Sequence, residues 1–585
     1  MILQALVRHY EDLTARNMIA PPGWNPIKVS YALELDEHGA LLRITSTQDN
    51  VVKGKKTVLT PRLMELPAPV KRTVGIAANF LCDNVSYILG LDGKGNAKRA
   101  KECFTACKTL HERLLSGVDT PAANAVLGFF RCWDPEQAAE YPAIQDEITG
   151  MMAGVNLVFR FQGVFVHEDP AIRQAWQTNY DAGGDGPAMA CLVTGRETSV
   201  ESIHPAIKGV QGAQSSGAAL VSFNAPAFCS YGKEQNLNAP TSKYATFAYT
   251  SALNHLLADR EHLYRIGDTT VVCWAEGGEP AFQDAFGAFA FNSQSSYTET
   301  ELRGMVKKLL RGNSVLFDEA LLDPDRPFYI LGLAPNAARL SVRFFLRNSF
   351  GGFLENVQKH YERLEIVKPS FDKFDTLPLW KLFGETVNQN SRDKAASPNM
   401  AGAVLRSILM DEPYPATLLN GALLRIRAER EVTRGRAAIV KAYYLKLSEN
   451  KRSHPDIPKE VLTVSLNPDS TNIPYNLGRL FSVLEAVQSA ANPGINATIK
   501  DRYFNAASAT PGHIFPILLN LSQKHLRKLE TSRRVYYEKQ ITELTGIFPE
   551  TFPPRLNLPQ QGAFQLGYYH QTQKRYEKKE ETSNV

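Results

Sequence analysis

The hydrophobic periodicity of the chain changes near residue 370, and this change limits the folds that the chain can adopt. Before it, short apolar runs, alternating or continuous, predict strands separated by helical patterns. After it, apolar residues recur at helical spacing, as in 476–491 and 513–530, with basic residues on the opposite faces. We therefore predict an α+β, multidomain fold: an N-terminal mixed α/β body with antiparallel sheets, and a C-terminal all-helical bundle.

A chain of 585 residues is too long to fold around a single hydrophobic core, so several domains are expected. The changes in pattern predict an α+β domain over 1–115, a central α+β body over 116–369 and the helical bundle over 370–585. No apolar run approaches the roughly 18 residues of a membrane span. The amphipathic start of the chain lacks the features of a signal peptide, so we expect a cytoplasmic protein without membrane contact.

The segment 209–240 is dense in Gly, Ser, Asn and Gln and almost free of charge. Gly212 and Gly217 have the spacing of a phosphate-binding loop, but Ala218 and Ala219 stand where that loop needs Lys and Ser or Thr. An ATPase is thereby excluded. Two interpretations stay open: a glycine-containing turn between two buried strands, or a segment that reads the edges and backbone of a polymer.

Positive charge is concentrated in the C-terminal third. Residues 411–585 carry 24 basic and 17 acidic side chains, a net charge of +7, against +5 for the whole chain. Such a surface is typical of contact with a phosphate backbone, although a solvated basic tail is the alternative. The candidate contacts on the polar helix faces are Arg479, Lys500, Arg502, Lys524, Arg527 and Lys528.

A second polar and basic cluster lies near the N-terminus. Here basic residues alternate with amides and one aromatic residue, a mixture that fits nucleic-acid contact. A solvated loop face is the alternative. The candidates are Lys53, Lys55, Lys56, Arg72, Asn79, Asn84, Tyr87, Lys98 and Arg99.

Motifs of catalysis and metal binding are mostly missing. The chain has no HExxH, no GxSxG and no complete Walker motif. Cys103 and Cys107 lack the further ligands that a zinc site needs besides His111, so we predict buried thiols. Asp83 is expected to cap a helix and not to bind Mg²⁺. We expect neither an enzyme, a metal nor a cofactor.

Several segments in order resemble one family, the large subunit of type I-C CRISPR interference complexes (Cascade). The resemblance spans nearly the whole chain. It lies in 1–13, 21–24, 28–41, 79–92, 191–195, 204–240, 269–275, 475–488, 502–519 and 561–571. Individually these segments are weak evidence, but their order is specific.

The resemblance implies a non-catalytic subunit that recognises the protospacer-adjacent motif on duplex DNA, aids duplex opening and holds the displaced strand. Sequence matching is delegated to the guide RNA. Implied partners are target DNA, the crRNA complex with its backbone and crRNA-processing subunits, a small subunit and a recruited helicase-nuclease. The small subunit is made by internal translation in this subtype; here it would start at Met400, at Met410 or at a non-AUG codon.

The resemblance also implies a role for each group of candidate residues. Asn79, Asn84 and Tyr87 are expected near base edges or sugars, and the N-terminal lysines with Arg99 on phosphates. The helical basic residues are expected along single-stranded DNA. Candidates of the central segment for contact with DNA or with other subunits are Lys208, Gln214, Ser216, Asn224, Gln235 and Asn238. A metal-dependent nuclease and a purely architectural RNA-binding subunit are the alternative functions.

Overall fold

The computed structural model describes residues 2–53, 56–70, 72, 75–92, 96–138, 141–182, 186–392, 394–449 and 456–576. The chain forms two compact units. The first consists of residues 1–209, 213–258 and 336–340, and the second of residues 210–212, 259–335 and 341–585. The predicted α+β, multidomain fold with a helical C-terminal region is confirmed. The predicted division at residues 115 and 369 stays a prediction.

The first unit is built from short strands and mostly amphipathic helices. Its helices are α1 (Ile2–Ala15), α2 (Val85–Ile88), α3 (Ala97–Leu115), α4 (Pro121–Cys132), α5 (Pro142–Gln145), α6 (Ile148–Met151), α7 (Pro170–Asp181) and α8 (Lys243–Ala258). Its strands are β1 (Trp24–Val29), β2 (Tyr31–Leu35), β3 (Leu41–Ser46), β4 (Asp49–Lys53), β5 (Lys56–Thr60), β6 (Arg62–Pro67), β7 (Cys82–Asn84), β8 (Asn156–Phe161), β9 (Val164–Phe165), β10 (Ala188–Ala190) and β11 (Glu197–Ser199).

The largest sheet of this unit has the order β3-β2-β8-β7, with β9 paired to β8. β2 and β8 run parallel and the other pairs are antiparallel. The alternation over 27–64 predicts an antiparallel β-meander with a turn at 36–39. The antiparallel pair β2-β3 around that turn is confirmed, but the continuous meander is wrong. The run splits at Ser30, whose amide donates to the carbonyl oxygen of Asn156 at 3.0 Å. β1 pairs with β6, and β4 with β5. Local alternation does not reveal the distant partner β8.

The second unit combines a sheet with many helices. Its strands are β12 (Tyr264–Ile266), β13 (Thr269–Ala275), β14 (Val315–Phe317), β15 (Ala320–Leu322), β16 (Pro327–Asn336) and β17 (Arg339–Ser349). Its helices are α9 (Ala281–Phe291), α10 (Glu299–Leu309), α11 (Phe350–Leu364), α12 (Leu379–Gly384), α13 (Pro398–Leu409), α14 (Ala416–Glu429), α15 (Arg434–Glu449), α16 (Ile473–Ala491), α17 (Ile499–Ala509), α18 (Pro511–Leu526), α19 (Thr531–Thr545) and α20 (Leu558–Lys574).

Four of these strands form a sheet in the order β12-β13-β16-β17, and every residue of β13 is buried, as its apolar sequence predicts. One hydrophobic core extends from Phe286 of α9 and Phe328 of β16 to Phe481 of α16 and Phe564 of α20. The core is therefore continuous across residue 370. Among the described helices, none is both long and apolar enough to cross a membrane.

Candidate nucleic-acid interface

Two of the three predicted phosphate-contacting lysines belong to a pair of antiparallel strands. β4 ends at Lys53 and β5 begins at Lys56, and the two residues are direct partners in the antiparallel register. Lys55 lies outside the described residues, as do the side chains of Lys53 and Lys56. The register places the backbones of Lys53 and Lys56 opposite each other at one end of the two-stranded sheet. Their contact with phosphates stays a prediction.

Asp83 organises the loop that precedes α2. Its carboxylate is 1% exposed and forms a bidentate ion pair with Arg72, in which Nη1 donates to Oδ1 at 3.0 Å and Nη2 donates to Oδ2. It also accepts from the backbone amides of Asn79 at 2.9 Å and Asn84 at 2.8 Å. The predicted capping role of Asp83 is wrong, because Asn84 caps α2 by accepting from the amide of Ser86 at 3.0 Å.

The guanidinium of Arg72 is engaged inside the protein. Its Nε donates to the carbonyl oxygen of Ala77 at 2.6 Å, and its central carbon lies 3.9 Å from the ring centroid of Tyr87. A planar guanidinium fits both a carboxylate and an aromatic face. Arg72 therefore helps to fix the loop with three of its five N–H donors, and its contact with DNA stays a prediction.

The two other predicted base readers border the same network. The side-chain oxygen of Asn79 accepts from the amide of Val70 at 3.0 Å. Tyr87 is buried, and its hydroxyl accepts from the amide of Ala77 at 3.4 Å. The structure thus brings Arg72, Asn79, Asn84 and Tyr87 together around Asp83. Contact of Asn79, Asn84 or Tyr87 with bases stays a prediction.

The first turn of α3 adds exposed positive charge beside this loop. Lys98 and Arg99 are both exposed, and Nη2 of Arg99 donates to the carbonyl oxygen of Gly75 at 2.9 Å. Asn96 caps the helix by accepting from the amide of Arg99 at 3.1 Å. The basic turn is therefore joined to the loop that Asp83 organises.

The central segment 209–240 is entirely described and contains no strand of its own. Two isolated bridges, Ile207 with Ala218 and Ala219 with Arg339, tie it to its surroundings. Two short 3-10 turns follow at Pro226–Phe228 and Gln235–Asn238. The interpretation as a glycine turn between two buried strands is wrong. The apolar residues are too few and too irregularly spaced to continue a ladder, and turns satisfy the backbone instead.

The candidate residues of this segment are mostly at the surface. Asn238 alone is half-buried, and its side chain is hydrogen-bonded to the backbone of its own loop. The backbone amide of Lys208 donates to the side-chain oxygen of Asn254 at 2.8 Å. The exposed candidates are Lys208, Gln214, Ser216, Asn224 and Gln235. Whether they contact DNA or another subunit stays a prediction.

On the helical faces, the predicted exposed position of Arg479 is wrong. Arg479 is 8% exposed, and its guanidinium donates to the side-chain oxygens of Gln571 at 3.2 Å and Asn476 at 2.8 Å. α16 is buried throughout residues 474–487, so Arg479 faces Gln571 of α20 and not solvent. Lys500 is half-buried, whereas Arg502, Lys524, Arg527 and Lys528 are exposed.

The predicted buried thiols are confirmed. Cys103 and Cys107 are buried, and His111 accepts from the backbone amide of Leu81 through Nε2 at 2.9 Å. Burial lowers the pKa of His111 to about 4, so the imidazole is neutral at physiological pH. Among the described residues, no group of three or more His, Cys, Asp or Glu side chains is arranged to hold a metal ion.

Exposed aromatic residues are the feature that sequence reasoning missed. Tyr231 is 98% exposed, Phe371 84% and Trp380 63%. Tyr231 precedes a glycine in a short polar stretch, which is a turn signal. Nothing in the type of an aromatic residue tells whether it is buried, so only the fold reveals this exposure.

Comparison with known proteins identifies the family. A search of curated proteins finds no match for the chain. The sequence model of a family described as CRISPR-associated protein (Cas_Csd1) matches residues 6–576. This match includes both units, the Asp83 loop, the central segment and the helical region. The chain therefore belongs to the Cas_Csd1 family of CRISPR-associated proteins.

Proposed function

We propose that the protein is the non-catalytic large subunit of a type I-C crRNA-guided DNA surveillance complex. In this function it recognises the protospacer-adjacent motif on duplex DNA, aids opening of the duplex and holds the displaced strand. The observation that carries the proposal is the family match over residues 6–576, because it spans the N-terminal, central and C-terminal candidate surfaces in one chain. Base pairing with the guide then supplies sequence specificity, and the protein reads only the short motif.

The N-terminal loop supports motif recognition. Asp83 binds Arg72 and the backbone amides of Asn79 and Asn84, which ties Arg72 to the ordered stretch 79–84. Readers of base edges need such a support, since an amide side chain discriminates only when its position is fixed. Lys98 and Arg99, exposed beside this loop, supply the positive charge that positions a phosphate backbone.

The helical region supports contact with a displaced strand. Lys524, Arg527 and Lys528 are exposed within and just after the last turn of α18, and Arg502 is exposed on α17. The excess of basic residues in 411–585 favours a polyanionic partner. The engagement of Asp83 with Arg72 argues against a nuclease in which Asp83 would hold a metal ion.

The proposal is tested by binding of the assembled complex to duplexes with and without the motif. Lys53, Lys55 and Lys56 changed together to Ala should weaken binding to both duplexes alike. The salt dependence should then fall by about one unit for each lost phosphate contact. The exposed Lys307 and Lys308 of α10, changed to Ala, are the matched control and should have little effect.

Asn79→Asp separates base reading from loop support. The variant keeps an oxygen that can accept from the amide of Val70 and loses the side-chain NH₂ donor. We expect the ratio of affinities for motif-bearing and motif-free duplexes to fall. The proposal is contradicted if the wild-type complex binds both duplexes equally. If the wild-type complex prefers the motif-bearing duplex and the variants bind both duplexes as wild type does, the assignment of these residues to DNA contact is wrong.

A further inference from the structure

The turn Ser230–Lys233 in the central segment holds an aromatic side chain away from the body of the protein. Tyr231 is 98% exposed, and its backbone has φ +54°, in the left-handed region. The next residue, Gly232, has φ +67°. The amide of Lys233 donates to the carbonyl oxygen of Ser230 at 3.1 Å and closes the turn. A left-handed conformation is unfavourable for tyrosine, so its surroundings must hold it.

Asn238 supplies that hold. Its side-chain oxygen accepts from the amide of Ser230 at 2.8 Å, and its Nδ2 donates to the carbonyl oxygens of Lys233 at 3.1 Å and Gln235 at 2.9 Å. Both ends of the turn are thereby fixed. A strained backbone position that several bonds determine, and whose side chain contributes nothing to the core, is typical of a binding site.

The neighbouring side chains indicate the chemistry of the partner. Residues 209–240 are all described, and the large apolar side chains that they expose are aromatic: Tyr231 and Phe228, the latter 40% exposed. The guanidinium carbon of Arg339 lies 4.3 Å from the ring centroid of Phe228. The remaining exposed side chains are mostly hydroxyls and amides, and the charged ones are Lys233, at the end of the turn, and its neighbour Glu234. Exposed aromatic rings among amides and hydroxyls suit stacking on the planar faces of unpaired bases.

We infer that Tyr231 stacks on an unpaired nucleobase of the nucleic acid that this protein binds. Asn238 is the positioning residue that presents the ring, and Lys233 is placed to attract the adjoining phosphate. The inference rests on the proposed function, because it takes the nucleic acid to be the guide RNA or a DNA strand of the target. Both carry unpaired bases in an assembled complex, so the experiment must distinguish them.

Photocrosslinking identifies the strand. Complexes are assembled with 5-iodouracil placed at successive positions of the guide RNA, of the target strand or of the displaced strand, each in a separate preparation. Long-wavelength irradiation should yield a crosslink that mass spectrometry maps to Tyr231 in one of the three, and Tyr231→Leu should abolish it. Crosslinks that map to other residues in every preparation would overturn the inference. So would a benzoylphenylalanine at position 231 that reaches only protein subunits.

Affinity supplies the second readout. Tyr231→Ala should weaken binding of the strand that the crosslink identifies roughly tenfold, as expected for loss of one base stack. The affinity of Tyr231→Phe for that strand should remain near that of wild type. Asn238→Ala should weaken binding as well, because the turn loses both of its anchors. Leu192→Ala, which removes another exposed side chain of the same unit, is the control. A Tyr231→Ala complex with wild-type affinity overturns this inference alone, whereas a wild-type complex without motif preference overturns the proposed function.

Discussion

His262 illustrates, for a single residue, an interaction that depends on protonation. Its Nδ1 lies 2.6 Å from a carboxylate oxygen of Asp259, and its Nε2 lies 2.7 Å from one of Asp284. Both ring nitrogens donate only when the imidazole is protonated. Burial opposes that charge, but the two carboxylates outweigh burial and raise the pKa of His262 above its ordinary value. The sequence does not show this pairing, because Asp284 belongs to α9 and approaches only in the fold.

We predict that His262 stabilises the second unit most strongly in mild acid. Because its folded pKa is raised, its contribution is fully present below the unfolded value of about 6.5 and is lost as pH rises through the folded pKa. His262→Gln should therefore lower the free energy of unfolding at pH 5.5 by about 1 kcal/mol, a modest value because both carboxylates are partly exposed. The difference should shrink by pH 8.5. Urea unfolding of the full chain measures it.

The control for this experiment is His38→Gln. His38 lies 3.5 Å from Glu37 with both side chains largely exposed, so its loss should change stability little at any pH. Buried histidines such as His111 make the same pH-dependent contribution to the free energy of unfolding in the variant and in wild type. Their contribution therefore cancels when the two proteins are compared. A His262→Gln difference that stays constant from pH 5.5 to 8.5 would show that the loss is one of packing and not of charge.

At the scale of helices and strands, hydrophobic periodicity predicts that an element exists better than it predicts which other element packs against it. The sequence predicts α16 and α18, with apolar stripes near the observed bounds, because helical hydrogen bonds are local. It does not predict that Arg479 points inward. α16 packs along α20 through polar pairs, including Tyr475 with His570 at 2.9 Å and Ser482 with Thr572 at 2.8 Å. Such cross-helix pairs depend on a partner about 90 residues away.

Two glycines allow this close approach, and they yield a prediction. A Cβ added at Gly567 would lie 2.0 Å from the carbonyl oxygen of Tyr475, and one added at Gly478 would lie 1.9 Å from that of Phe564. Alanine at either position forces the helix backbones apart and misaligns the polar pairs. We expect Gly567→Ala to lower the free energy of unfolding by about 3 kcal/mol, measured by chemical denaturation.

Gly304 of α10 is the matched control for Gly567→Ala. A Cβ at this helical position meets nothing within 4 Å. Gly304→Ala should therefore stabilise the protein by about 0.5–1 kcal/mol, since it only reduces the freedom of the unfolded chain. If Gly567→Ala and Gly304→Ala change the free energy of unfolding equally, the backbones of α16 and α20 do not approach each other as closely as in the structure.

At the scale of the whole molecule, the helical region shares its interior with residues that precede it. Nη1 of Arg434 donates to Asp372 at 3.0 Å, and its guanidinium also donates to the carbonyl oxygens of Phe374 at 2.6 Å and Asp375 at 2.7 Å. Nζ of Lys441, a buried amine, donates to the carbonyl oxygen of Arg363 at 3.0 Å. Burial lowers the pKa of Lys441 to about 8. The change in periodicity near residue 370 therefore does not coincide with the limits of the packed core.

This shared interior predicts how a product that starts at Met400 behaves. A chain of residues 400–585 keeps Arg434 and Lys441 but loses Asp372 and the carbonyl oxygens that accept from them. The deleted residues include α11 and α12, so apolar side chains of α15 that pack against them become exposed. We therefore expect 400–585 on its own to unfold at lower temperature and to aggregate more than 349–585, which begins at the Ser349 cap of α11 and keeps these partners.

The effect of one double replacement in the two chains distinguishes lost charge partners from lost packing. In 400–585 both cations have lost their acceptors and also the residues that cover them, so replacing Arg434 and Lys441 together by Met should change thermal stability little. In the full chain the same replacement leaves Asp372 and three backbone carbonyl oxygens without these donors, so stability should fall by about 3 kcal/mol or more. If the double replacement destabilises both chains alike, the contacts of Arg434 and Lys441 with residues 363–375 are not what stabilises the helical region.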